Sequence, residues 1–542
     1  MKRRIGILLM MGVLGTAVLA GCGKQAENKT GSTTTGSSTS EASDAGNKKE
    51  ELVFVNYRDI RDLNPHLYAG EMYAQEMLYE TLVNITENGY EGCIAKSWDI
   101  SEDGKVYTFH IRDGITFSDG EVCDAYAVKA NFDAIIENKD RHTWLEMMNL
   151  LVGVSAPDEK TFVIELSEPY YPMLTELGVT RPFAMISPKA MKDGSTKDGV
   201  NEYIGTGSYV LTDFVTDQYA VFEVNENYWG EKPEIKKITV KVIPDNQTRI
   251  MALEKGEIDL IFGKNMIDAD AVNKYVDSEE FEVALSDPTS TRQIVLNTSN
   301  EVLQDKAVRQ ALQHATDKAS ISEGIFYGLE VPADTLFAAT VPYCDIDLEP
   351  YDYDTSQAEE MLEEAGWTLG SDGVREKDGA KMELSLLYNS DSVTEKTIAE
   401  YLQSEYGKLG ISLNISGEEE QSYRDKMKAG TFDMVFNICW GTPYDPQSSL
   451  AAMRQPVYGD YAAQLGLEDK ADIDAAITEI LTSTDEAKRQ ELYTFVLTRL
   501  HEDAVYIPLT YECNKALYRT DLKGMHFTQT QYEVPFYDMY FE

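Results

Sequence analysis

From Leu52 onward the chain alternates short runs of β-branched and aromatic residues with amphipathic helical periods, and that alternation limits the folds open to it more than any other feature. Strand-like runs recur at Leu52–Val55, Ile238–Ile243, Ile258–Phe262, Gln293–Asn297, Met382–Tyr388, Ile411–Ile415 and Phe432–Trp440. Between them, Ala307, Val308, Ala311, Leu312 and Ala315 fall on one helical face, as do Leu492, Phe495, Val496 and Leu500. Asp354 followed three residues later by Gln357, then Ala358, Met361, Leu362 and Ala365, closed by Gly366, reads as a helix capped at both ends. Such alternation means an α/β protein with mixed sheets. No repeat of about twenty to fifty residues is present, which excludes solenoids and propellers. Beyond its first fifty residues the chain is longer than one hydrophobic core usually supports, so two lobes or more are expected.

The N-terminus lies outside this pattern. Lys2, Arg3 and Arg4 precede an apolar run from Ile5 to Val18. At about fourteen residues it suits an export signal and is too short to span a membrane. Leu19-Ala20-Gly21-Cys22 then resembles the bacterial lipobox, in which Cys22 is diacylated and becomes the first residue after cleavage. Each buried CH₂ contributes roughly 0.8 kcal/mol, so two or three acyl chains hold a protein on a membrane almost permanently. The plainer alternative is an ordinary secretory signal with a coincidental cysteine. Residues 24–50, rich in Ser, Thr and Gly and free of aromatic and branched aliphatic residues, argue against it by supplying the flexible coil a tether needs. The expected order is therefore a lipoprotein signal peptide at 1–21 and a disordered linker at 22–50. The folded part would then work outside the cytoplasm, anchored to the cell membrane through Cys22 alone.

A net charge of −45 argues strongly against nucleic acid as a partner and keeps the folded surface off anionic lipid. Apart from Cys22, the cysteines Cys93, Cys123, Cys344, Cys439 and Cys513 are odd in number and widely spaced. That speaks against a disulfide framework or a zinc site and leaves any single pairing open. Catalytic patterns are missing as well. There is no H-E-x-x-H, no G-x-S-x-G and no Walker loop, and Gly205-Thr206-Gly207 lacks the third glycine of a dinucleotide fingerprint. None of the six histidines is paired at metal-ligand spacing. What stands out is tyrosine, 32 of them, several beside Pro or Gly, as at Tyr68, Tyr170-Tyr171-Pro172 and Trp440-Gly441-Thr442-Pro443-Tyr444. Rigid aromatics with a polar tip make good pocket walls, although most such rings simply close cores.

Several segments together resemble the peptide/nickel family (family 5) of extracellular solute-binding proteins of ABC importers. They are Ala95-Lys96-Ser97-Trp98, Tyr107-Thr108-Phe109, Phe117-Ser118-Asp119-Gly120, Ile204 to Tyr209, Asn225 to Trp229 and Gly256 to Leu260. The likeness runs from about Leu52 to the C-terminus. Within the family it is greatest to the nickel-binding branch, through Leu63 to Tyr68, Arg141 to Glu146, Arg181-Pro182-Phe183, Trp229 to Pro233, Ala333 to Phe337 and Trp440 to Pro446. The resemblance implies a periplasmic-binding-protein type II-like α/β fold with two hinged lobes and a subdomain inserted in lobe one. Lobe one would span 51–287 with 512–542, the insert lying at about 98–207, and lobe two 288–511. It further implies a monomer that serves an ABC permease and its ATPase and that is not an enzyme.

In relatives of that branch the metal arrives as a complex with small organic carboxylates. Carried across by motif, Arg141 and Arg181 would clamp carboxylates, and Tyr68, Met72, Trp144, Trp440 and Tyr444 would form the walls. The planar fork of Arg pairs two oxygens at once, which suits it to this task. One position departs from the pattern. Where relatives carry a metal-ligating His, Gln447 to Gly459 contains none and Tyr458 holds the place. A phenol, neutral at pH 7, is a poor ligand for Ni²⁺ beside imidazole. The expectation is that a nickel or related transition-metal chelate is bound through outer-sphere contacts, with no direct protein ligand assigned. No resident cofactor is expected. A dipeptide or oligopeptide is the alternative cargo, and an exported hydrolase is disfavoured for want of a nucleophile–base pair.

Overall fold

The strand Glu51–Asn56, the first apolar run of the folded part, lies at the middle of a seven-stranded sheet. The computed structural model describes residues 48–542; the expected signal peptide, Cys22 and the expected linker up to residue 47 lie outside the described residues. Lys48 and Lys49 already contact the body, through Glu234 and Asp259. Glu51–Asn56 runs parallel to Lys237–Val242, with Phe54 opposite Val240, and parallel to Leu260–Phe262. Tyr209–Val215 and Tyr219–Val224 extend the sheet on one side, Lys515–Arg519 and Phe281–Leu285 on the other, all antiparallel to their neighbours. The sheet is mixed, as the alternation of elements predicts.

A second, six-stranded sheet is built around Ser290–Leu296, which is buried at every position, as a central strand covered on both faces must be. It pairs antiparallel with Met434–Ile438 and Tyr506–Glu512; beyond Met434–Ile438, Glu383–Asn389 and Ser412–Glu418 continue in parallel. One face packs on the helices Lys306–His314, Thr355–Glu364 and Val393–Lys408 through Leu312, Leu362 and Leu402. Asp354 caps Thr355–Glu364 by accepting the Ser356 and Gln357 N–H groups, and Gly366 follows at φ +88° where the chain turns away. In the helix Glu486–Glu502, Phe495 departs from its expected face and is exposed. Leu492, Tyr493, Val496, Leu497 and Leu500 form the buried stripe, centred so that Phe495 points roughly 130° away from it.

The chain passes from the first sheet to the second between Leu285 and Ser290, and returns between Glu512 and Lys515. A separate four-stranded antiparallel sheet comprises Ala95–Ile100, Val106–Ile111, Leu151–Asp158 and Thr161–Leu166. The helix Ala125–Glu137, capped by Asp124, packs on it with the Phe132 and Phe162 rings 4.8 Å apart. Buried apolar residues run without a break from this unit, through Tyr170 and Leu177, into the helices over the second sheet, at Leu481, Leu492 and Tyr493. Cys93, Cys123, Cys344, Cys439 and Cys513 are all buried and free. Among the described residues no helix is long and apolar enough to cross a membrane.

Candidate functional site

Loops leaving these elements converge on a cavity of about 1390 Å³, open mouth included. Of the residues singled out in the sequence, Tyr68, Arg141, Trp144, Trp440, Tyr444 and Tyr458 line it. Tyr68 lies in the loop between the strand Glu51–Asn56 and the helix Met72–Leu78. Arg141 and Trp144 follow the helix Ala125–Glu137. Trp440 and Tyr444 belong to the loop after Met434–Ile438, and Tyr458 stands at the N-terminus of the helix Gly459–Gln464. Met72 and Arg181 are not in the lining. Met72 packs with Val179 and Tyr444 in a small apolar cluster against Trp144 and Trp440.

The aromatic walls are held by hydrogen bonds and by one another. The Tyr68 hydroxyl accepts the Trp144 Nε1–H at 2.8 Å and lies 2.7 Å from His142 Nδ1. Burial pushes that phenol up to about 12, and it pulls His142 down to about 4 with help from Arg141, so both are neutral at pH 7. The Trp144 ring meets Trp440 at 5.5 Å and Tyr444 at 5.9 Å, and Tyr458 stands edge-on to Trp440 at 5.8 Å. The loop bearing Trp440 is pinned by buried Asp445, which accepts from the Gly441 N–H at 2.7 Å and from the Ser449 hydroxyl. Gly441 has φ +79°, and a Cβ there would sit 2.3 Å from the Gln531 amide, so only glycine fits this turn.

Two guanidinium groups lie near this end of the cavity, Arg141 in its lining and Arg181 behind it, and neither pairs with a carboxylate among the described residues. Arg141 is exposed to the cavity, and Glu146, farther along its loop, pairs with Arg454 instead. Arg181 donates to the Tyr68 and Gly70 carbonyls at 3.0 and 3.1 Å and lies 5.9 Å from the Tyr68 ring centre. Among the described residues no group of three or more His, Cys, Asp or Glu is placed to hold a metal ion. This end of the cavity suits a carboxylate, met by the Arg141 guanidinium between rings.

Sequence reasoning missed part of the lining. Glu395, Glu420, Tyr423 and Arg424 reach the cavity from the helices Val393–Lys408 and Glu420–Ala429, and Tyr532 reaches it from the C-terminal segment. No local pattern in these segments distinguishes a charge facing a cavity from one facing water. His142 was visible only as a neighbour of Arg141; it is fully within the fold and hydrogen-bonds the Tyr68 hydroxyl through Nδ1.

Residues 89–460 match the family described as bacterial extracellular solute-binding proteins, family 5. The chain is 42% identical over 483 residues to the nickel-binding periplasmic protein of Escherichia coli, covering 88% of this chain and 92% of that one. It is 25% identical to the Escherichia coli dipeptide-binding protein over 87% of this chain and 91% of the relative. Among solved structures, NikA of Brucella suis in complex with Fe(III)-EDTA superposes with a TM-score of 0.88 at 44% identity, covering 91% of this chain and all of the other. These likenesses span both large sheets and carry the two-lobed type II fold.

Proposed function

The chain belongs to the bacterial extracellular solute-binding proteins of family 5, and from that premise we propose that it captures a nickel or related transition-metal chelate and delivers it to the permease of an ABC importer. The observation that carries this reading is Arg141, a guanidinium without a carboxylate partner among the described residues, facing a cavity walled by Trp144, Trp440, Tyr444 and Tyr68. Such a site takes the carboxylates of a chelate and packs rings on its body, leaving the metal to the chelator's own donors. The 42% identity to a nickel-binding protein and the Fe(III)-EDTA complex of the Brucella relative support the same class of cargo. A short peptide is the second reading, supported by the dipeptide-binding relative and by a cavity roomier than a small chelate needs.

In this reading the two crossings between the sheets act as the hinge, with lobe one at 51–287 and 512–542 and lobe two at 288–511. Cys22 carries the acyl chains that keep the trap at the membrane. Calorimetry with Ni²⁺ alone, Ni²⁺ with excess histidine, Fe(III)-EDTA and a dipeptide panel tests the cargo. Binding of the chelates with no response to bare Ni²⁺ is the expected result. Tight binding of bare Ni²⁺ unaffected by histidine overturns it, and retention of a dipeptide alone selects the second reading. Loss of fatty-acid labelling in Cys22→Ala checks the tether.

A further inference from the structure

The cavity differs in charge from one side to the other. Around Tyr68 the charges that bear on the ring hydroxyl are chiefly Arg181 and Arg141. On the side formed by the second-sheet helices, Glu395, Glu420 and Arg424 line the same space. Glu420 is already satisfied there, since Arg424 Nε donates to one of its oxygens and Asn389 Nδ2 to the other. Glu395 is not. Its Oε2 accepts the Asn389 backbone N–H at 2.9 Å, and no Lys, Arg or His among the described residues lies within ion-pair distance. Arg292, the cation that bears on it, is held by Glu512 and lies 3.6 Å from Glu330. Burial accordingly pushes the Glu395 carboxyl up. Counted over the lining, Arg141 and Arg424 balance Glu395 and Glu420. One cation, Arg141, and one anion, Glu395, are thereby left for a ligand to pair.

We infer that the cargo carries a protonated amine as well as carboxylates, with Arg141 taking a carboxylate and Glu395 the ammonium. This rests on the chelate reading above and narrows it to aminocarboxylate complexes with a free amino arm. A fully carboxylate chelate answers Arg141 and leaves Glu395 facing an uncharged surface. A zwitterionic one pairs both and is discriminated from its neutral analogue at the Glu395 end.

The probes are Ni²⁺ complexes of nitrilotriacetate, of the same chelator extended by aminoalkyl arms of graded length, and of the N-acetylated form of each arm. Arms of roughly four carbons or more are too long to close a stable chelate ring through the amine, so the metal donor set is held constant and each pair differs chiefly in the arm's charge. At the arm length that reaches Glu395, the amine complex is expected to bind roughly tenfold or more tightly than its acetylated twin. Glu395→Gln should bring the two together. Equal affinities of amine and acetyl forms at every arm length overturn the inference while leaving the chelate reading standing. So does a preference that persists in Glu395→Gln. Failure of every complex, nitrilotriacetate included, to bind the wild-type protein overturns the chelate reading and this inference with it.

Discussion

At the residue scale, Tyr458 and Glu176 make opposite demands on a substitution. Tyr458 stands edge-on to Trp440 in the cavity lining. Tyr458→His should add an inner-sphere nitrogen donor, so that Ni²⁺ carrying a single equivalent of histidine binds about tenfold tighter and its visible d–d bands shift. An unchanged spectrum would separate Tyr458 from the metal. Glu176 is fully buried, accepting from the Tyr170 hydroxyl at 2.5 Å and the Met147 N–H at 3.3 Å, and burial pushes its carboxyl up to about 8. A raised acid favours the protonated folded state, so its contribution is complete below the unfolded value near 4.5 and is lost as pH rises through 8. Glu176→Gln should therefore melt like wild type near pH 4 and above it at pH 8 to 9, by an amount worth a few kcal/mol. Such environments are invisible in the chain itself. Nothing local to Glu176 separates it from the chain's many solvated carboxylates, because burial is set by what packs over it from distant segments.

At the element scale, the strand ends at the two sheet crossings are tied by one buried network. Lys264, just beyond Leu260–Phe262, donates to the Ser290 hydroxyl and to Gln531, with Glu512 at 3.4 Å; Ser290 in turn donates to Glu512 at 2.7 Å, and Arg292 pairs with the other Glu512 oxygen. Burial opposes the charge of Glu512, but Arg292 and Lys264 outweigh it and hold its carboxyl well below the usual range. The stabilisation is present above that range and is lost as pH falls below it. Glu512→Gln leaves the buried Arg292 only its longer contact to Glu330, 3.6 Å away, and should cost about 3 kcal/mol at pH 7, a deficit that narrows below about pH 4. Denaturant melts across that pH interval check it, and a constant deficit would contradict it. The elements that the sequence shows most plainly, such as the capped helix Thr355–Glu364 and the strand Ser290–Leu296, carry strong local signals in caps and β-branched runs. Where periodicity misplaces a residue, as at Phe495, several choices of face share the same spacing and the packing partner selects among them.

At the scale of the whole molecule, Trp144 from the loop after Ala125–Glu137 touches Trp440 and Tyr444 from the loop after Met434–Ile438, so rings from both sides of the cavity meet. A chelate seated there should change tryptophan emission in proportion to occupancy, and Trp144→Phe and Trp440→Phe should each remove much of that change. A full response in the double variant would place the ligand elsewhere. The chain by itself determined the class of fold, the family and the residue types at the aromatic end of the site, because strand and helix periods, caps and contiguous motifs are written in neighbouring residues. The tertiary structure alone decided which of those residues share a cavity, that Met72 and Arg181 stand behind its lining, and that Glu395 faces Arg141's cavity with no cation of its own. Those facts depend on segments far apart in sequence, brought together by burial, and no local pattern of residues encodes them.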